Sequence, residues 1–122
     1  MIEKLPISCF IIALNEADRI EKTIKSVKDL VDEIIVIDSF STDQTVEISE
    51  QLGAKVVQVK FEGFGKLRMA GIEHTTHDWI LSIDADELCT IDARNEISEI
   101  LSSSTSADAY FIPRRNIFMG KK

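Results

Sequence analysis

Cysteine and histidine are scarce in this chain of 122 residues, with two of each. There is no C-x-x-C and there are only those two histidines, which excludes a zinc site of the usual spacing and gives no disulfide framework. Cys9 sits inside an apolar run and reads as a small buried hydrophobe. Basic charge is also short, 14 Lys and Arg against 21 Asp and Glu, for a net charge of −7. No positive field exists to draw in a phosphate backbone, so a nucleic-acid partner is not expected. Long apolar runs are missing too. The stretch from Cys9 to Leu14 is far below a membrane span, and Met1-Ile2-Glu3-Lys4-Leu5-Pro6 is too charged and short for a signal peptide. No G-x-G-x-x-G and no G-x-x-x-x-G-K follows the first strand, so the dinucleotide and P-loop fingerprints do not apply. A cytoplasmic protein, at most peripheral at the inner face of the membrane, is the expectation.

What is present is an ordinary globular composition, 44% hydrophobic and 29% charged, at the size of one domain. Four runs, Ile7–Leu14, Ile34–Asp38, Lys55–Val59 and Trp79–Asp84, are nearly continuous in apolar residues, as strands covered on both faces should be. Helical stretches fall between them. Ile20, Ile24, Val27 and Val31 make one apolar stripe, and a second helix from about Asp43 to Leu52 meets Gly53 as a left-handed end. A third is expected from Lys66 to His74 and a fourth from Arg94 to Leu101. Strict strand and helix alternation predicts an α/β domain, a mostly parallel sheet with helices on both faces. Ser102-Ser103-Ser104-Thr105-Ser106 reads as a loop before Tyr110-Phe111-Ile112, and the carboxyl end reads as lacking a closing element.

The most informative segment is Trp79-Ile80-Leu81-Ser82-Ile83-Asp84-Ala85-Asp86-Glu87. An apolar strand ends in three acids within four positions. In an extended chain Asp84 and Asp86 point the same way, and two carboxylates so close repel unless one is protonated or a cation sits between them. Mg²⁺ and Mn²⁺ prefer such oxygens, typically one or two of them together with a substrate's phosphates. Taken alone, a bare D-x-D is more readily read as a solvated strand exit. The context matters more. Asn15-Glu16, Asp38-Ser39, Phe61-Glu62-Gly63-Phe64-Gly65 and Asp84-Ala85-Asp86 all lie at carboxyl ends of strands, where open α/β sheets bind ligands. Each has a structural explanation alone: Asn15 with Asp18, and Ser41 with Gln44, read as helix caps, and the glycines as turn relief. A solvated surface charge is the plain reading of Arg68.

Taken together, Ile11-Ile12-Ala13-Leu14-Asn15-Glu16, Asp32 through Thr45 and Asp84-Ala85-Asp86-Glu87 resemble the N-terminal half of family 2 glycosyltransferases, over about residues 5 to 120. The Leu-Asn-Glu and Asp-Ser-x-Ser-Thr-Asp versions are most similar to the lipopolysaccharide-core subgroup. The resemblance implies a Rossmann-like GT-A fold and a UDP- or other nucleotide-activated sugar donor. It places Ala13, Leu14, Glu16 and Asp38 around the nucleoside, Arg68 near the nucleotide, and Asp84 and Asp86 on Mn²⁺ or Mg²⁺. It further implies inverting transfer to a glycan or lipid-linked acceptor of cell-envelope polysaccharide, with the carboxylate base beyond residue 122. Residues 1–122 are then one nucleotide-sugar-binding domain, the truncated N-terminal part of a longer enzyme and inactive alone, with an exposed sheet edge that favours self-association. Phe40 and Gln44 stand where that family usually has glycine, and Met69 where it often has Asn. A bulky residue beside Asp38 could narrow or reshape the nucleoside pocket. Two other readings of the rim acids are a non-catalytic nucleotide-binding module and a receiver-type phosphotransfer domain, although receivers pair their acids after the first strand.

Overall fold

The computed structural model describes residues 4–102, 109–112 and 117–121. Strands β1 (Leu5–Ala13), β2 (Val31–Asp38), β3 (Lys55–Gln58) and β4 (Trp79–Asp84) alternate with helices α1 (Ile20–Val27), α2 (Thr45–Gln51), α3 (Phe64–His74) and α4 (Ile91–Ser102). Strands β5 (Ala109–Ile112) and β6 (Ile117–Lys121) follow. The sheet order is β3-β2-β1-β4-β6-β5. The first four strands are mutually parallel, while β6 runs antiparallel to both β4 and β5. This is a Rossmann-like, mostly parallel sheet.

Alternating side chains of β1 divide the core. Ile7, Cys9, Ile11 and Ala13 join Ile20, Ile24, Val27, Ala93 and Ile97 on the face covered by α1 and α4, with Ile48 of α2 and Leu52 just beyond its end against it. Phe10 joins Ile35, Ile37, Leu67 and Ile80 on the other face, where α3 lies. The close approach of α3 depends on Gly71: a Cβ there would stand 2.4 Å from the Phe10 ring. Both cysteines are buried, and burial pushes their thiols up, that of Cys89 to about 11.

Several sequence expectations are corrected. Val31 opens β2 instead of closing the first helix, because Leu30 N donates to Val27 O and the chain turns there. Pro6 interrupts the β1–β2 register, consistent with its missing N–H. Neither proposed cap forms: α1 and α2 begin after Arg19 and Gln44 without side-chain capping bonds. Gly53 does end α2, at φ 91°. The carboxyl stretch left unassigned contains β6, which fills the sheet between β4 and β5. Residues 103–106 of the serine-rich loop lie outside the described residues.

Candidate functional site

The chain builds outward from β1 to β2 to β3, then crosses back to lay β4 on the other side of β1. The order reverses between β1 and β4, and at such a switch point the loops beyond the strand ends diverge and leave a crevice. Asp38 pairs in register with Ala13 and Gln58, and Asp84 with Ile12, so these ends form one rim.

Asp84 closes β4, and Asp86 follows in a turn where Glu87 N donates to Asp84 O at 3.0 Å. The two acids are brought together by that turn, not by continued extension. Partial burial raises the Asp84 pKa, the Asp86 charge adds to the rise, and Arg68 opposes it. Arg68, on the exposed side of α3, is therefore within electrostatic reach of the pair, and among the described residues it makes no ion pair. Two hydroxyls of α1 hold the turn from beneath. Thr23 Oγ1 lies 2.6 Å from Ala85 O and 2.8 Å from Glu87 O, and Ser26 Oγ accepts from Cys89 N at 3.0 Å. Sequence reasoning missed both, although a threonine inside the buried stripe of Ile20, Ile24 and Val27 was the available signal.

The β1–α1 and β2–α2 loops are interlocked. Asn15 N donates to Ser41 Oγ, Glu16 N to Thr45 Oγ1 and Ala17 N to Asp43 Oδ2, at 2.8, 2.9 and 3.1 Å. In return, Asn15 Oδ1 accepts from Thr42 N at 2.8 Å. Three consecutive backbone donors are thus satisfied by the hydroxyls and carboxylate of the S-T-D-Q-T run. The Thr45 hydroxyl bonded to Asp43 holds that carboxyl below its ordinary range, aided by backbone N–H groups.

Asp38 is fully buried. Its carboxylate accepts from Ser41 N at 2.9 Å, from Ser41 Oγ, and from Gln58 Nε2 at 3.4 Å. Glu16 lies 2.8 Å from Arg19. Leu14 is exposed, whereas Ala13 is buried and gives its carbonyl to Ser39 N. Phe40 has φ 61°, a left-handed backbone that costs a bulky L-residue about 1–2 kcal/mol. Its side chain stands out into solvent, so the apolar surface beside Asp38 lies at the mouth of the rim.

Among the described residues, no three His, Cys, Asp or Glu gather as a metal site. A match to "Glycosyl transferase family 2" covers residues 8–117. The chain belongs to that family. It is 50% identical over 97 residues, 80% of its length, to an uncharacterized glycosyltransferase of Rickettsia felis, of which it covers 34%. Glycosyltransferase SunS of Bacillus phage SPbeta is 42% identical over 98 residues, 77% of this chain and 23% of that one. The chain therefore spans about a third or less of the curated relatives it matches. Among solved structures, Mycobacterium tuberculosis glucosyl-3-phosphoglycerate synthase with Mn²⁺ and UDP-glucose superposes with TM-score 0.76 at 23% identity, over 94% of this chain and 55% of that one. Rubrobacter xylanophilus mannosyl-3-phosphoglycerate synthase gives 0.69 at 21%, over 84% and 38%. At these identities the likeness carries the GT-A fold.

Proposed function

We propose that residues 1–122 form the donor-binding domain of a longer glycosyltransferase. Its reaction would move a sugar from a nucleotide-activated donor, a UDP-sugar in the first instance, to a glycan or lipid-linked acceptor with inversion. Family membership supports the reaction class, and the fold neighbour bound to Mn²⁺ and UDP-glucose supports the ligand class. The observation that supports the reading is the turn that follows β4 at the strand-order reversal and carries Asp84 and Asp86 together, with the Arg68 charge in electrostatic reach.

The donor set fits Mn²⁺ or Mg²⁺, which can be held by one or two carboxylates while phosphate oxygens and water complete the shell. Asp84 and Asp86 would hold the ion, which when bound neutralises charge on a departing nucleoside diphosphate. Arg68 adds a fixed positive charge on the same side for the diphosphate. Thr23 and Ser26 keep the acidic turn from relaxing away. Ala13, Leu14, Glu16 and Asp38 frame the nucleoside, Asp38 chiefly by holding its turn. In the transfer, an acceptor oxygen bonds to the anomeric carbon as the carbon–phosphate-oxygen bond breaks, and the acceptor's proton passes to a carboxylate base. That base is assigned beyond residue 122, with Glu87 read as a supporting acid of the turn. The lipopolysaccharide-core type of acceptor and a cytoplasmic setting at the membrane's inner face belong to the same proposal. Among the described residues no helix is long and apolar enough to cross a membrane.

Calorimetry of UDP binding with Mn²⁺ and with EDTA tests the donor site. Metal-dependent binding that Asp86→Asn weakens at least tenfold, roughly 1.4 kcal/mol, is expected. Unchanged affinity in that variant would remove Asp86 from the site. A transfer assay on residues 1–122 with acceptor in excess should show no multiple turnover. Robust turnover would put the base within these residues, with Glu87 the first candidate. Binding without turnover in the longer protein as well would leave a non-catalytic nucleotide-binding module.

A further inference from the structure

Phe40 joins two features that oppose folding. Its backbone is left-handed, at φ 61°, and its side chain is 55% exposed. A ring in that position gains little from burial, so its contacts among the described residues do little to offset the conformational cost that glycine would avoid. Among the described residues Phe61 and Phe64 meet edge to face at 5.3 Å, while Phe40 has no ring partner. The residue before it repeats the pattern, since Ser39 Oγ is buried without a hydrogen-bond partner. Such groups cost stability and call for an explanation.

The turn carrying Phe40 is nevertheless rigid. Asp38 grips Ser41 through both backbone and hydroxyl, and Ser41 in turn holds Asn15 N. An exposed aromatic on a fixed turn is pre-organised for a flat partner, because ordering it on binding costs little further entropy. Its place, two residues after the end of β2 and on the rim that the proposed donor would occupy, selects the partner. Every nucleobase offers a π-face, and base–aromatic stacking tolerates any base.

We propose that Phe40 is the stacking platform for the base of the donor nucleotide. This rests on the reading above that the rim takes a nucleoside diphosphate. It turns the bulky residue beside Asp38 from an obstruction into a contact. The ring acts on the base alone, so its contribution is independent of metal. It also gains more from a purine than from a pyrimidine, because the larger face overlaps more of it.

Phe40→Gly and Phe40→Trp in the 122-residue chain, probed with UDP, ADP and ribose 5-phosphate in EDTA and in Mn²⁺, test the proposal. Phe40→Gly should raise the thermal midpoint, since strain is released, while UDP affinity falls about five- to hundredfold in both buffers. ADP should lose more than UDP, and ribose 5-phosphate should be unaffected. Phe40→Trp should retain UDP affinity, and UDP should quench its fluorescence above the constant Trp79 background while ribose 5-phosphate does not. Unchanged UDP affinity in Phe40→Gly overturns the stacking role, as does a Phe40→Trp signal indifferent to UDP. A concentration-dependent dimer that Phe40→Gly dissociates without loss of UDP affinity overturns it in favour of a second copy. If the unaltered chain binds neither UDP nor ADP, the donor-site reading itself fails. Affinity lost in Asp86→Asn but kept in Phe40→Gly refutes only the stacking.

Discussion

At the amino ends of the central strands, Glu33 Oε1 accepts from Ser8 Oγ, Thr76 N and Thr76 Oγ1 at 2.7, 3.0 and 3.1 Å, and His77 Nε2 meets Asp32 at 2.8 Å. At the carboxyl ends Asp84 and Asp86 repel each other, and a phenylalanine takes a left-handed backbone. Of the eight exposed large hydrophobics among the described residues, Leu14, Phe40, Phe61, Phe64, Leu88 and Ile91 all fall in or beside the loops of that second rim. The amino end satisfies its polar groups internally, whereas the carboxyl end does so only in its interlocked first and second loops and holds the charge of Asp84 and Asp86 and much apolar surface in reserve. The contrast separates residues that hold the fold from residues kept for a ligand.

The largest effect should come from breaking the self-satisfied end. Glu33→Ala strands the buried Ser8 hydroxyl and the Thr76 donors, and should cost about 2–3 kcal/mol in urea unfolding without changing UDP affinity. Acid sharpens this result. Burial pushes the Glu33 pKa up, but the bonds from Ser8 and Thr76 outweigh it and leave it lowered. A depressed carboxyl stabilises above its unfolded pKa and loses that contribution as pH falls through the folded value. The stability gap between the parent chain and Glu33→Gln should therefore close below about pH 4.

Thr23→Val should come next, at about 1 kcal/mol of stability, with weaker UDP binding in Mn²⁺ and none of that loss in EDTA. Thr23→Ser should restore the metal-dependent part, which a general packing defect would not allow. Asp84→Asn inverts the sign. Because the Asp84 pKa is raised, its ionised form is disfavoured by folding, and stability is lost as pH rises through the folded value. The neutral variant should be as stable as the parent or more so at neutral pH, by less than about 1 kcal/mol after solvent screening, while losing metal-dependent binding. Smallest of all, Asp29→Asn removes the fork from Arg94 at 2.6 and 3.1 Å on an exposed aspartate, and should cost no more than about 0.5 kcal/mol by thermal denaturation.

The four parallel strands and the gathering of acids on one rim were legible because fully buried strands read as unbroken apolar runs. Val31 misled because a four-residue spacing also fits the next strand once the chain turns at Leu30. Asn15 and Ser41 carry good capping chemistry, yet their side chains serve partners 27 and 26 residues away, which local spacing cannot reveal. The antiparallel β5–β6 pair was hidden for a related reason. Short strands finding each other after a serine-rich stretch have no period long enough to announce them. The grip of Thr23 on the acidic turn spans 62 residues to Ala85, so only its odd place in an apolar stripe hinted at it.

The interlock of residues 15–17 with residues 41–45 bears on how this domain can be re-engineered. Donor preference in such folds invites loop grafting, one segment at a time. Here each loop completes the hydrogen bonding of the other, so a graft of either alone would leave backbone donors facing foreign side chains. The two loops form one transplantable module, to be exchanged together or left in place.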